Sequence, residues 1–97
     1  MIVSFGDAAT EDLYHGRNTS RVRRLPNDVV AVVLRKLDML RAANQLLDLR
    51  SPPGNRLEAL RGNYAGYHSI RVNDQWRLVF RWESDGAHEV SLLDYHP

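Results

Sequence analysis

Residues 76–82 read Trp76-Arg77-Leu78-Val79-Phe80-Arg81-Trp82, and this alternation restricts the fold more than any other stretch of the chain. Trp76, Leu78, Phe80 and Trp82 share one parity and Arg77, Val79 and Arg81 the other, so as a strand the segment has one large apolar face and one face bearing guanidinium groups. The apolar face needs a core to cover. The arginine face has to meet solvent or a ligand, because a guanidinium stays charged and is costly to bury alone. Turn signals at Asn73-Asp74 and Ser84-Asp85-Gly86 flank the strand. The region from residue 56 onward therefore reads as a β-meander, with extended segments at 56–60, 67–72, 75–82 and 87–95 and residues 62–66 between the first two.

The first half of the chain reads differently. Residues 2–5 suit a short strand, and Asp7 suits the N-cap of a helix over 8–15 that Gly16 closes. A polar, arginine-rich connection follows. Pro26 fits a first-turn position with Asp28 near the helix N-terminus, and Val30, Val33, Leu34, Leu37 and Leu40 recur at helical spacing to about Ala43. Its valines lower the intrinsic helix propensity, so this helix depends on packing against a sheet. Leu46, Leu47 and Leu49 add one more turn before Ser51-Pro52-Pro53-Gly54 breaks the chain. The expectation is one α+β domain over residues 1–97, with helices on one face of a small antiparallel sheet.

Charge distribution says more than net charge, which is only +1. Six arginines lie between Arg50 and Arg81 against only Glu58 and Asp74, and a second basic cluster comprises Arg17, Arg21, Arg23 and Arg24. Lys36 is the only lysine, and an arginine fork suits bidentate phosphate contacts better than an ammonium does. A GC-rich codon bias would explain the ratio but not the clustering. With no cysteine there is neither a disulfide framework nor a thiolate nucleophile. His15, His68 and His88 fall on separate elements without metal-ligand spacing, so neither metal nor cofactor is expected. The longest apolar run, residues 29–34, is far short of a membrane span, and the first five residues lack the features of a signal peptide. A cytoplasmic location is the expectation.

Fixed cations on a sheet, with a titratable group nearby, can cut RNA without metal. The ribose 2′-hydroxyl attacks its own phosphate while one group takes its proton, another protonates the leaving 5′-oxygen, and arginines hold the charge of the phosphorane. Arg77 is the first candidate for that charge, with Arg56, Arg71 and Arg81 as further phosphate contacts. The plainer alternative for each is a solvated surface cation. The cluster at residues 17–24 has no motif; it can touch RNA, meet an acidic protein surface, or solvate a loop.

The segment 49–77, LRSPPGNRLEALRGNYAGYHSIRVNDQWR, together with the MI-x-SF start and the Asp94-Tyr95-His96 end, resembles the HigB branch of the RelE/ParE toxin superfamily, its GraT-type members in particular. The resemblance implies a RelE-like microbial RNase fold and a type II toxin that cleaves mRNA in the ribosomal A site. It implies a helix-turn-helix antitoxin of HigA type, whose complex with the toxin represses its own operon. By the same resemblance Arg77 matches an active arginine after the tryptophan, Arg61 the basic residue before a glycine turn, and Tyr95 and His96 a C-terminal catalytic pair.

Two positions depart from the commoner pattern. Glu58 stands where many HigB relatives carry histidine, although GraT-like members share the glutamate; burial would strengthen it as a general base and neighbouring arginines would weaken it. Asn73 stands where some relatives carry a second arginine. Strand parity also sets Glu58 and Arg61 on opposite faces unless the chain bends after Leu60. Two rival readings stand beside this one: an inhibitor of ParE type that engages DNA gyrase without cutting on a similar scaffold, against which Arg61, Arg77, Tyr95 and His96 argue, and a weakened toxin acting mainly as an antitoxin-bound corepressor, to which Glu58 and Asn73 point.

Overall fold

The computed structural model describes residues 1–94. Helix α1 spans Ala8–Tyr14; its N-cap Asp7 is extended and accepts the Thr10 N–H at 2.8 Å, and Gly16 turns the chain at φ 73°. The arginine-rich connection is not all loop. It contains a one-turn helix α2, Ser20–Arg23, tied back to α1 through Asp12. The Asp12 carboxylate accepts from Thr19 Oγ1 at 3.0 Å, Arg21 Nη1 at 3.0 Å and Arg17 Nη1 at 3.3 Å. Burial would raise its pKa, yet these donors together hold it below the ordinary carboxylate value.

The main helix α3 spans Asn27–Ala42, with Pro26 as N-cap rather than a first-turn residue. Val29, Val33, Lys36, Leu37 and Leu40 form its buried stripe, whereas Leu34 is exposed. The stripe thus lies one step round from the predicted one, because the sheet meets the face that begins at Val29. A 3₁₀ turn at Leu46–Arg50 follows, as the three leucines suggest, and a second at Pro53–Asn55 leads into Arg56, which sits in the left-handed region at φ 45°.

Four strands complete the fold: β1 Glu58–Ala59, β2 His68–Arg71, β3 Trp76–Glu83 and β4 Gly86–Asp94, antiparallel in the order β1-β2-β3-β4. β1 is shorter than the expected 56–60, because the left-handed turn at Arg56 delays the strand and a 3₁₀ turn at Gly62–Tyr64 ends it. The predicted strand at 2–5 is reduced to two parallel bridges onto β4, Ile2 with Ala87 and Phe5 with Val90. The helices cover one face only. There Val33, Leu37 and Leu40 of α3 share a core with Ile70, Leu78, Phe80, Val90 and Leu92, each worth about 1.5–3 kcal/mol for a fully buried aliphatic or aromatic side chain.

β4 carries a bulge. Val79 pairs with Ser91 and Arg81 with His88, so Phe80 alone faces both Glu89 and Val90. Glu89 takes the left-handed conformation, φ 53°. The extra residue keeps Ala87, Val90 and Leu92 on the core although their spacing is uneven, and it turns Glu89 toward the opposite face.

Candidate functional site

The face of the sheet away from the helices carries Glu58, Ser69, Arg71, Arg77, Val79, Arg81, Ser91 and Leu93, by the register of the strands. Arg77 lies at its centre with a side chain only 13% exposed. Its Nε donates to Ser69 Oγ at 2.7 Å and its Nη2 to the Arg56 carbonyl at 2.7 Å, while Glu58 Oε1 stands 3.8 Å from Nη2. A guanidinium has five donors in a rigid plane, so two bonds on one flank fix the plane and leave the other flank for a ligand. Ser69, itself fully buried, is the anchor.

Arg71 is the direct cross-strand neighbour of Arg77. Like charges placed opposite each other on one face are destabilising; Asp74 pairs closely with Arg71 at the hairpin end, and the more distant Glu58 at 3.8 Å offsets Arg77 only weakly. Such an arrangement suits an anion. Arg56 contributes its backbone carbonyl to Arg77 while its own side chain is exposed. Arg61 is exposed too, at the start of the Gly62–Tyr64 turn. Because β1 ends at Ala59, strand parity does not constrain where the Arg61 side chain points. Arg81 is matched by two carboxylates, Glu89 at 2.6 Å and Glu83 at 2.7 Å, so it braces the sheet where the sequence suggested an open phosphate contact.

Asn73 supplies no cation and has a structural task instead. Its side-chain oxygen accepts the N–H groups of Gln75 and Trp76, both at 2.8 Å, and so closes the β2–β3 hairpin. Tyr95 and His96 lie outside the described residues. The last described residue of β4, Asp94, pairs with Trp76, one position from Arg77.

Beside this cluster the face is hollowed into a cleft of about 270 Å³, lined by Gly6, Asp7, Tyr64, Tyr67, Val79, Glu89, Ser91 and Leu93. Tyr67 donates to Glu89 Oε2 at 3.0 Å, the same oxygen that receives Arg81 Nε. The Arg81 and Tyr67 hydrogen bonds hold the Glu89 carboxyl below its ordinary range, and the Glu89 bond in turn pushes the Tyr67 phenol up. Around neutral pH the acid stays ionised and the phenol stays protonated.

The model of the HigB-like toxins, described as the RelE-like toxin of type II toxin-antitoxin system HigB, matches residues 3–96. The chain belongs to the HigB-like toxin family. It is 44% identical over 96 residues to Toxin HigB-1 of Vibrio cholerae serotype O1, covering 99% of this chain and 98% of the relative. Its fold is similar to that of the YoeB-YefM complex from Staphylococcus aureus, with a TM-score of 0.61 at 18% identity, over 100% of this chain and 99% of that one. The YoeB dimer from the same organism gives a TM-score of 0.61 at 22% identity, over 99% and 95%. These likenesses bear out the α+β, RelE-like fold and the assignment to a toxin of a type II toxin-antitoxin system. No helix among the described residues of this HigB-like toxin is long and apolar enough to cross a membrane.

Three contacts of this face escape a reading of the sequence: Ser69 and the Arg56 carbonyl, which hold Arg77, and Glu89, which holds Arg81. Arg56 and Ser69 lie within the segment 49–77, but nothing in it marks these contacts, and Glu89 lies outside it. Only the uneven spacing of Ala87, Val90 and Leu92 hints at the bulge that sets Glu89.

Proposed function

We propose that this HigB-like toxin is a ribosome-dependent endoribonuclease that cuts mRNA in the A site without a metal ion. The observation that supports the reading is the fixed guanidinium of Arg77, preorganised by Ser69 and the Arg56 carbonyl on an open sheet face with Arg71 directly opposite. In that role Arg77 holds the charge that grows on the phosphorane, and Arg61, Arg56 and Arg71 neutralise flanking phosphates. His96 or Tyr95 exchanges protons with the 2′-hydroxyl and the leaving oxygen, and Glu58, beside Arg77, receives a proton or orients the ribose. The partner that restrains the toxin is an antitoxin of HigA type, and operator DNA is reached only through it.

The test maps new RNA 5′ ends in translating extract with and without ribosomes. Cuts confined to ribosome-bound codons are expected, and Arg77→Ala should lower their rate about a hundredfold to a thousandfold while the protein remains folded. Parental cleavage by Arg77→Ala would remove Arg77 from the mechanism. Growth inhibition with intact mRNA would favour a toxin that binds without cutting.

A further inference from the structure

We infer that the cleft between the Gly6-Asp7 segment and the Tyr64–Tyr67 loop is a nucleobase subsite, with Glu89 reading the donor edge of guanine. The inference deepens the RNA-cutting reading and takes its ligand class from it. Four features place the subsite.

Val79 forms its floor and lies on β3 midway between Arg77 and Arg81, about 7 Å along the strand from either. A base seated there is next to a phosphate held by Arg77. Tyr64 and Tyr67 wall the cleft as an edge-to-face pair with centroids 5.8 Å apart, a surface on which a base can stack. The opposite wall is pressed close: a Cβ at Gly6 would lie 2.2 Å from Ser91 Oγ and 2.8 Å from the Glu89 carbonyl. Finally, Glu89 is delivered to the cleft by a bulge and held in a left-handed backbone conformation that a non-glycine residue adopts at a cost.

The chemistry of the rim selects the base. Glu89 and Asp7 are both acceptors in the ionised state, and both bonds made to the Glu89 carboxylate, from Arg81 and Tyr67, fall on Oε2. Arg81 and Tyr67 fill Oε2, so Oε1 of Glu89 and the Asp7 oxygen that does not cap α1 are the acceptors the rim offers, and a pair of acceptors is matched by two N–H donors on one edge, which guanine alone offers, at N1 and N2. Adenine and cytosine set an acceptor nitrogen beside their amino group. Uracil sets two carbonyls around its single N–H. A role limited to neutralising Arg81 would need neither the aromatic wall nor the open cleft, and Glu83 already pairs with that arginine.

The test is a binding measurement, so it reads the subsite whether or not the chain cuts RNA. The purified toxin is titrated with uncleavable 2′-O-methyl pentanucleotides that are uridine except for a central guanine, inosine, adenine or cytosine, and amide shifts are followed by NMR. Guanine should shift the amides of Tyr64, Tyr67, Glu89 and Ser91 and bind at least about fivefold tighter than inosine, which lacks only the N2 amino group. Glu89→Gln should bring that ratio close to one. The wild-type ligand series stands without the variant if Glu89→Gln does not fold. Equal binding of guanine and inosine, a preference for another base, or shifts confined to other surfaces would overturn the inference. So would shifts of the cleft amides produced only by N-acetylarginine amide, which would make the cleft a seat for a basic side chain of a protein partner. Guanine binding in a chain that leaves mRNA intact would uphold the subsite while removing the nuclease reading.

Discussion

Replacing Asn55 with alanine should damage this protein more than any comparable polar truncation, and the structure gives the size. Asn55 is 0% exposed, although it lies in the loop between α3 and β1. Its Nδ2 donates to the Leu49 carbonyl at 3.1 Å and the Ser51 carbonyl at 3.3 Å, and its Oδ1 accepts from the buried ammonium of Lys36 on α3. Burial, with Arg35 and Arg71 nearby, already lowers the Lys36 pKa, so this ammonium tolerates no further loss of partners. Two carbonyls at about 1 kcal/mol each and one charged hydrogen bond at about 1.5–3 kcal/mol give a cost of about 3.5–5 kcal/mol.

For a chain of this size that corresponds to a fall in melting temperature of at least about 12 °C. Urea titration and thermal melts of Asn55→Ala and of Asn55→Ala combined with Lys36→Met measure it. The double variant should recover about 2 kcal/mol, because it removes the stranded charge. Its sign is the decisive part. A double variant less stable than Asn55→Ala, or a single variant melting within about 3 °C of the parent, would refute the reasoning. The same loop ends in the Arg56 carbonyl that holds Arg77, so cleavage by Asn55→Ala should fall even below its melting temperature.

Stability should also fall in acid, because Asp12, Asp85 and Glu89 all have pKa values held below their ordinary ones in the folded chain. The unfolded chain binds the extra protons, so stability is fully present above the ordinary carboxylate range, near pH 4, and drains away as pH falls through the folded values; melts from pH 6 to pH 2 check this. Gly6→Ala should cost about 1–3 kcal/mol, since the new methyl collides with Ser91 and the Glu89 carbonyl, and urea titration would show it as a lower midpoint at an unchanged slope. Asn73→Ala should cost about 1–2 kcal/mol through the two hairpin N–H groups it leaves unpaired, without lowering the cleavage rate below its unfolding temperature.

What the sequence discloses and what it conceals divide along physical lines. Parity in residues 76–82 places Arg77 and Arg81 on one face and Trp76, Leu78 and Phe80 on the other, because side chains in a strand have no alternative. Asp7 and Gly16 bound α1 for equally local reasons. The contacts that make Arg77 rigid are not local. Ser69 meets it through the β2–β3 register, and the Arg56 carbonyl meets it only because Asn55 and Lys36 lock a loop against α3. Arg81 is a similar case: its parity is legible, but the bulge that turns Glu89 toward it depends on which residues the core accepts.

The bridges from Ile2 to Ala87 and from Phe5 to Val90 bear on when this protein becomes active. Domains generally fold as units, and here the segment made first has no pairing surface until β4 exists. The Gly6-Asp7 wall of the cleft is built from that same segment. A nascent chain therefore carries its arginines without a finished cleft until β4 has been made.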